Sequence, residues 1–83
     1  MWNVYIAKSK TNRYYTGMTT NTGERLKRHN SGEGSRFAVQ YGSLEIVYES
    51  PKFSSKSEAR RREIQIKGWS RAKKELLIFG IFK

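Results

Sequence analysis

The sequence predicts a mixed α/β (α+β) fold, and three patterns support this prediction. Two short segments rich in aromatic and β-branched residues, 2–7 and 13–19, flank a turn-like break, which predicts a β-hairpin. A third strand is predicted at 44–49, just before the only proline, Pro51. Helix start and stop signals mark three further segments: 20–31, 55–68 and 70–78.

The length of the chain indicates a single domain over residues 1–83. Its 83 residues leave no room for a second core or a buried cofactor cavity, so we expect function at the surface or in a shallow cleft. The absence of cysteine excludes disulfides and cysteine-based zinc sites and favours a reducing, cytoplasmic location. No apolar run approaches the roughly 18 residues of a membrane span, and the N-terminus has no secretory pattern.

The charge points to a polyanionic partner. There are 17 Lys and Arg against 7 Asp and Glu, a formal net charge of +10, which makes nucleic acid the leading partner class. A lysine-rich surface that is merely solvated is the alternative. A membrane partner is not expected, because the most basic stretch, 56–67, offers only Ala59, Ile64 and Ile66 as apolar residues.

The predicted hairpin places tyrosines on one face. If its loop is residues 10–12, odd-numbered positions share a side of the sheet, and these are Tyr5, Ala7, Tyr15 and Gly17. The other side, predicted to be the main core side, receives Trp2, Val4, Ile6, Tyr14 and Met18. A slip of one residue would separate the two tyrosines.

The first predicted helix carries an arginine and a histidine on one side. Asn21 or Thr22 can cap its N-terminus, and Gly32 is the predicted stop. Arg25 and His29 stand four residues apart, so they project from the same side of the helix.

The second predicted helix carries a carboxylate at a buried position. Ser55 and Glu58 form a capping-box pattern, and Gly68 is the predicted stop. Ala59, Glu63 and Ile66 follow the spacing of a buried stripe, although Glu63 is acidic. In the last helix Ser70 is the predicted cap, and the predicted inner face is Ala72, Leu76 and Phe79.

Together these side chains fit phosphodiester hydrolysis. That reaction needs a base for water, a cation for the scissile phosphate and, commonly, a divalent metal for the leaving oxygen. Tyrosine, with a free pKa of about 10, becomes a better base beside a metal or another cation. A single carboxylate suits Mg²⁺, which keeps several waters and takes phosphate oxygens as further ligands.

In these motifs the sequence resembles the GIY-YIG nuclease family, specifically its small standalone, single-domain bacterial members. Val4-Tyr5-Ile6 and Tyr15-Thr16-Gly17 match the two tripeptides, with Val4 in place of a glycine and Thr16 in place of an isoleucine. Arg25 follows the second tyrosine by ten residues, and the run 57–63 is similar to the helix that delivers the family's glutamate, here Glu63. Some members have a lysine where this chain has Met18.

The resemblance implies a fold and a set of roles. The fold is a central three-stranded antiparallel sheet flanked by helices, with one Mg²⁺ or Mn²⁺. In the implied roles, Tyr5 is the general base, supported by His29, and Tyr15 orients water or phosphate and is also the alternative base. Arg25 stabilises the phosphate charge, Glu63 binds the metal, and Gly17 allows a close approach of the backbone.

Five basic residues are expected to contact nucleic acid: Lys27, Arg28, Arg60, Arg61 and Lys67. Each site residue also has a purely structural interpretation. The tyrosines suit strand packing, His29 suits a helix C-terminus, Arg25 suits a surface ion pair, and Glu63 can pair with Arg60 or Lys67.

The predicted function is metal-dependent endonuclease cleavage of DNA, selective for structured or damaged sites and linked to repair or recombination. The chain has no appended module for reading sequence, so a protein partner could supply recognition. One alternative is a catalytically weak or inactive nucleic-acid-binding domain. Another is an accessory protein of RNA or the ribosome that uses exposed aromatics for stacking.

Overall fold

The computed structural model describes residues 1–30 and 44–81, with only the backbone of His29 and Asn30. In chain order the elements are β1 (Asn3–Ser9), β2 (Tyr14–Thr19), α1 (Thr22–Asn30), β3 (Leu44–Glu49), α2 (Lys56–Lys67) and α3 (Arg71–Ile78). The α+β prediction is confirmed. The predicted helix stop at Gly32 lies outside the described residues. No helix in the described part is long and apolar enough to cross a membrane.

The three strands form one antiparallel sheet in the order β2-β1-β3, so β1 is central and β2 is an edge. In the hairpin Tyr5 pairs with Gly17 and Ala7 with Tyr15, which confirms the predicted register. The hairpin loop closes where the Ser9 N–H donates to the Arg13 carbonyl at 2.9 Å. Asn12 takes a φ of 67° in this loop, a left-handed conformation that asparagine tolerates.

Side-chain caps define the helix starts. Asn21 caps α1, since its Oδ1 accepts the Glu24 N–H at 3.0 Å. The Ser55 hydroxyl accepts the Glu58 N–H at 3.3 Å. The Glu58 carboxylate in turn accepts the Ser55 hydroxyl at 2.9 Å instead of a backbone N–H, so the predicted capping box is present in altered form. Gly68 ends α2 with φ −79°, a conformation open to any residue.

Helices cover both sides of the sheet. On the even-numbered side Val4 and Ile6 form the main core with Ala59 and Ile66 of α2 and Leu77 of α3. On the odd-numbered side a smaller cluster of Tyr5, Ala7 and Leu44 packs with Leu26 of α1 and with Tyr15 and Ile46. The Thr22 hydroxyl donates to the Glu49 carboxylate and ties α1 to β3. The predicted division into a core side and a tyrosine side is therefore confirmed.

The predicted inner face of α3 was wrong. Leu77 is its buried residue, whereas Ala72 is exposed, and Leu76 and Phe79 are 41% and 70% exposed. The run of four apolar residues 76–79 gives every side of the helix an apolar residue, so periodicity does not select one. Tertiary contacts select it instead: the Tyr14 hydroxyl donates to Glu75 at 3.0 Å, and Arg71 donates to the Asn12 carbonyl at 2.7 Å.

Candidate active site

Two tyrosines lie side by side on the odd-numbered face of the sheet. The ring centroids of Tyr5 and Tyr15 are 6.3 Å apart and the ring planes are inclined by 41°. Because Tyr5 is opposite Gly17, Tyr15 is its diagonal neighbour on the adjacent strand. Tyr5 is only 1% exposed and Tyr15 is half-buried, so one phenol lies under the surface and the other at it.

Gly17 sets the path of the Tyr5 ring. A Cβ built on Gly17 would lie 2.6 Å from the Tyr5 hydroxyl oxygen and 2.8 Å from Cζ, well inside van der Waals contact. The ring therefore crosses directly over the β2 backbone, which only glycine allows. Since β2 is the edge strand, this path carries the Tyr5 hydroxyl toward the β2 edge of the sheet, where the charge of Glu63 acts on it.

Arg25 joins the tyrosine pair from α1. Burial works to lower the pKa of Arg25, but the nearby oxygens of Tyr5 and Tyr15 outweigh burial, and the pKa is raised. The guanidinium thus lies beside both phenols and stays charged. Arg25 is exposed as a whole, so it can contact a phosphate and the tyrosines together.

The Tyr5 hydroxyl is buried without a hydrogen-bond partner among the described residues. The Arg25 guanidinium is close to the Tyr5 hydroxyl, but the pair does not meet the distance and angle criteria of a hydrogen bond. Burial raises the pKa of Tyr5, the neighbouring Tyr15 and the Glu63 charge raise it further, and Arg25 works in the opposite direction. The phenol therefore keeps its proton near neutral pH in the chain alone, with an oxygen free to contact a ligand.

Glu63 occupies the buried stripe of α2, as predicted. It is 8% exposed, with Ala59 and Ile66 buried on the same helix. Its carboxylate forms an ion pair with Lys67 Nζ at 3.6 Å, so of the two expected partners, Arg60 and Lys67, the contact is with Lys67. Lys67 is mostly exposed, which makes the pair weak and easily rearranged.

The residues fit a hydrated divalent cation better than a protein-made metal cage. Within residues 1–30 and 44–81 there is no cluster of three or more His, Cys, Asp or Glu side chains that could enclose a metal. Glu63 offers one carboxylate, and the Tyr5 hydroxyl, whose pKa this carboxylate raises, has no hydrogen-bond partner among the described residues. Mg²⁺ and Mn²⁺ suit such a site, since water and phosphate oxygens can complete the coordination. Glu63 is the residue that would hold the ion.

The basic residues predicted to bind nucleic acid divide into two groups by helix geometry. Arg28 is three residues from Arg25, and Arg60 and Lys67 are three and four residues from Glu63, so these lie on the site side of their helices. Lys27 and Arg61 are two residues from Arg25 and Glu63 and therefore project to the opposite sides.

A small hollow that the sequence did not reveal adjoins Arg25. It has a volume of about 140 Å³ and is lined by Thr19, Thr20, Asn21, Glu24, Arg25 and Arg28. The signal available in the sequence was the Thr-Thr-Asn run before the helix start, followed by two arginines three residues apart. The side chain of His29 lies outside the described part of the structure, so its supporting role stays a prediction.

Known proteins match this chain over most of its length. The family model described as the GIY-YIG catalytic domain matches residues 1–76. A UPF0213 protein of Staphylococcus haemolyticus is 47% identical over 75 residues, which cover 90% of each chain. A UPF0213 protein of Halobacterium salinarum is 40% identical over 77 residues, covering 93% of this chain and 99% of the relative.

A solved structure shows the same fold. The solution NMR structure of a UPF0213 protein from Bacillus halodurans is 40% identical, covers 94% of this chain and 83% of its own, and has a TM-score of 0.58. The sheet, the two tyrosine motifs and the glutamate helix all fall within the region that the family model matches. The chain therefore belongs to the GIY-YIG family, as one of its small UPF0213 proteins.

Proposed function

We propose that the chain is a divalent-metal-dependent endonuclease that hydrolyses DNA phosphodiester bonds. The observation that carries this proposal is the unpartnered, buried Tyr5 hydroxyl, on whose pKa both the Arg25 guanidinium and the Glu63 carboxylate act. A buried hydroxyl without a partner costs about 1–3 kcal/mol, a cost that a ligand at this position would relieve. Membership of a nuclease family supports the same chemistry.

Each residue has a defined task in the proposed reaction. Arg25 binds a non-bridging oxygen of the scissile phosphate and stabilises the charge that develops there. Tyr15 orients the attacking water, and Tyr5 in its deprotonated form accepts the proton of that water; the surface position of Tyr15 makes it the alternative base. His29 supports the base. A Mg²⁺ or Mn²⁺ ion bound to Glu63 would supply positive charge at the leaving oxygen and favour the deprotonated phenol.

The expected substrate is DNA with a branch, nick or damaged site, as in repair or recombination, and the expected location is the cytoplasm. Arg28, Arg60 and Lys67 would bind phosphates next to the scissile one, because they share the site sides of α1 and α2. Lys27 and Arg61 would contribute only long-range attraction. A partner protein would supply further recognition of the substrate.

The test is cleavage of branched and nicked DNA with Mg²⁺ or Mn²⁺. We expect Glu63→Gln to abolish cleavage while binding persists, and Glu45→Gln, at an exposed carboxylate on β3, to leave cleavage unchanged. Binding should weaken steeply with salt, and the slope should fall more in Arg60→Gln/Lys67→Gln than in Lys27→Gln/Arg61→Gln. Cleavage that survives Glu63→Gln, or a wild-type chain that cuts none of these substrates, contradicts the proposal.

A second function, binding without catalysis, is favoured by one observation. Lys67 already pairs with Glu63, and the pKa of Tyr5 is raised, so the metal-free site combines a paired carboxylate with a neutral phenol. In that case the chain would bind DNA or structured RNA through its basic surface, with the same salt dependence and no response to Mn²⁺. Mn²⁺ titration of the wild-type chain and of Glu63→Gln distinguishes the two functions.

A further inference from the structure

An apolar pocket lies on the opposite side of the sheet from Tyr5 and Tyr15. Its volume is about 480 Å³, within the range of about 300–1,000 Å³ typical of ligand pockets. Residues of β3, of the segment after it, of α2 and of the end of α3 line the pocket, and they include Tyr48, Pro51, Phe53, Arg62, Leu77 and Gly80. Because Tyr48, Phe53 and Leu77 pack with the even-numbered core, an occupant here would not meet the candidate active site.

Exposed apolar residues are the chain neighbours of the pocket residues Leu77 and Gly80. Phe79 and Ile81 flank Gly80 and are 70% and 74% exposed, and Leu76 precedes Leu77 and is 41% exposed. Several large exposed apolar residues in one short segment are typical of a surface that binds another molecule, whereas single ones are ordinary. We call the pocket together with Leu76, Phe79 and Ile81 the C-terminal patch.

The charge around the C-terminal patch is positive. Arg62 lines the pocket, donates to Gln65 at 2.7 Å and lies 5.0 Å from the Trp69 ring, so its guanidinium is held in place. Lys73 Nζ lies 4.5 Å from the same ring.

The two described carboxylates of α2 and α3 outside the active site already have partners. Glu58 accepts the Ser54 and Ser55 hydroxyls, and Glu75 accepts Tyr14 and pairs with Arg71. Among the described residues, neither of these carboxylates forms an ion pair with Arg62. The surroundings of the C-terminal patch therefore complement an acidic molecule.

Charge and chemistry select among the possible occupants. A second copy would bring its own net charge of +10 and, in a symmetric dimer, its own Arg62 to the same contact. A nucleic acid would meet a mostly apolar lining, which provides few groups that bind its phosphates. An acidic protein segment with a large apolar side chain matches both the lining and the charge.

We propose that the C-terminal patch is the docking site of a partner protein, which inserts a large apolar side chain flanked by Asp or Glu residues. The apolar side chain fills the pocket beside Tyr48, Phe53 and Leu77, and an acidic neighbour pairs with Arg62. Because the tyrosines lie on the other side of the sheet, the partner and DNA bind at the same time. This docking proposal can fail independently of the proposed nuclease function, since its test needs neither metal nor cleavage.

The experiment is selection of a random 12-residue peptide library displayed on phage against the full folded chain. We expect the recovered peptides to carry a large apolar residue flanked by Asp or Glu. Synthetic copies should lose at least tenfold in affinity to Arg62→Glu and to Phe79→Ser. Matched controls are Arg61→Glu, at an arginine of α2 that does not line the pocket, and Ile64→Ser, at an exposed apolar residue of α2, and each should change affinity less than twofold.

Amide NMR spectra show whether each variant is folded and where the peptides bind. Peptide-induced shifts at Phe53 and Gly80, without shifts at Tyr5 and Tyr15, support the proposal, and Phe79→Ser keeps the test valid if Arg62→Glu unfolds. The proposal is overturned by no enriched peptide, by enriched peptides without acidic residues, by equal affinity in all variants, or by displacement of the peptide by a 12-nucleotide oligothymidylate. Self-association that Phe79→Ser abolishes in sedimentation would identify a second copy as the occupant and also overturn it.

Discussion

Replacing Gly17 by alanine tests the contact on which the candidate active site depends. The added Cβ would lie 2.6 Å from the Tyr5 hydroxyl oxygen, 2.8 Å from Cζ and 3.1 Å from Cε1. Tyr5 is 1% exposed and packs among Ala7, Leu44 and Leu26, so its ring cannot swing aside without disturbing these neighbours. Overpacking of this kind costs about 2 kcal/mol.

The expected result is a lower stability together with a displaced Tyr5 ring. In a domain of this size, 2 kcal/mol lowers Tm by about 8–16 °C. Urea denaturation gives the free energy of unfolding, and aromatic NMR resonances report the ring. Gly23→Ala is the matched control, because among the described residues its Cβ would meet only Asn21 Oδ1, at 3.6 Å. Gly23 lies within α1, where alanine stabilises by about 0.5–1 kcal/mol.

A double-mutant cycle with Tyr5→Phe isolates the contact. Removing the hydroxyl relieves the shortest approach and leaves the one to Cζ, so Tyr5→Phe should recover part of the stability lost in Gly17→Ala. We expect a coupling free energy above about 0.5 kcal/mol. Wild-type stability in Gly17→Ala with the Tyr5 resonances unmoved, or no coupling in the cycle, would refute the proposed path of the ring over β2.

Three further predictions concern the core, the glutamate and the hairpin. The Thr16 hydroxyl is buried without a partner in the described part of the chain, so Thr16→Val should stabilise by about 1 kcal/mol in urea denaturation, and a loss of stability would show that the hydroxyl is bonded. Because Lys67 competes with a metal ion for Glu63, Lys67→Met should tighten Mn²⁺ binding about two- to fivefold in calorimetry, whereas Lys56→Met should not. Equal Mn²⁺ affinities in the two variants would mean that the ion pair does not oppose metal binding. Burial and then the Glu75 carboxylate raise the pKa of Tyr14 against the effect of Arg71, so the folded state holds this proton above pH 10, where the unfolded chain releases it. The free energy of unfolding should therefore fall as pH rises above about 10, and should fall less steeply in Tyr14→Phe. Parallel stability curves for the two proteins between pH 9 and about 11 would contradict this assignment.

Local patterns predicted the sheet and the position of the glutamate. The register followed from the length of the hairpin loop, because one residue more or less would have exchanged the two faces of β1 and β2. The burial of Glu63 followed from the spacing of Ala59 and Ile66 on one helix stripe. The register depends on one hairpin loop and the burial of Glu63 on residues of the same helix, and the sequence specifies such local features directly.

Features set by contacts between distant segments were not predictable in the same way. The rotation of α3 depends on Tyr14 and Asn12, which lie about 60 residues earlier in the chain, and the apolar run 76–79 does not select a face. The direction of the Tyr5 pKa depends on how deeply the ring is buried and on which charges surround it. Sequence reasoning supplied a cation that lowers this pKa but not the burial that raises it.

The contacts between the hairpin loop and α3 tie the tyrosine strands to a segment about 60 residues further along the chain. Arg71 lies 4.2 Å from the Tyr14 ring and also binds the Asn12 carbonyl, and Leu77 completes the core beneath the same strands. During translation the hairpin emerges long before residues 71–77, so these contacts form only after that segment has left the ribosome. A nascent chain would thus carry both tyrosine motifs before the contacts that support their strands have formed.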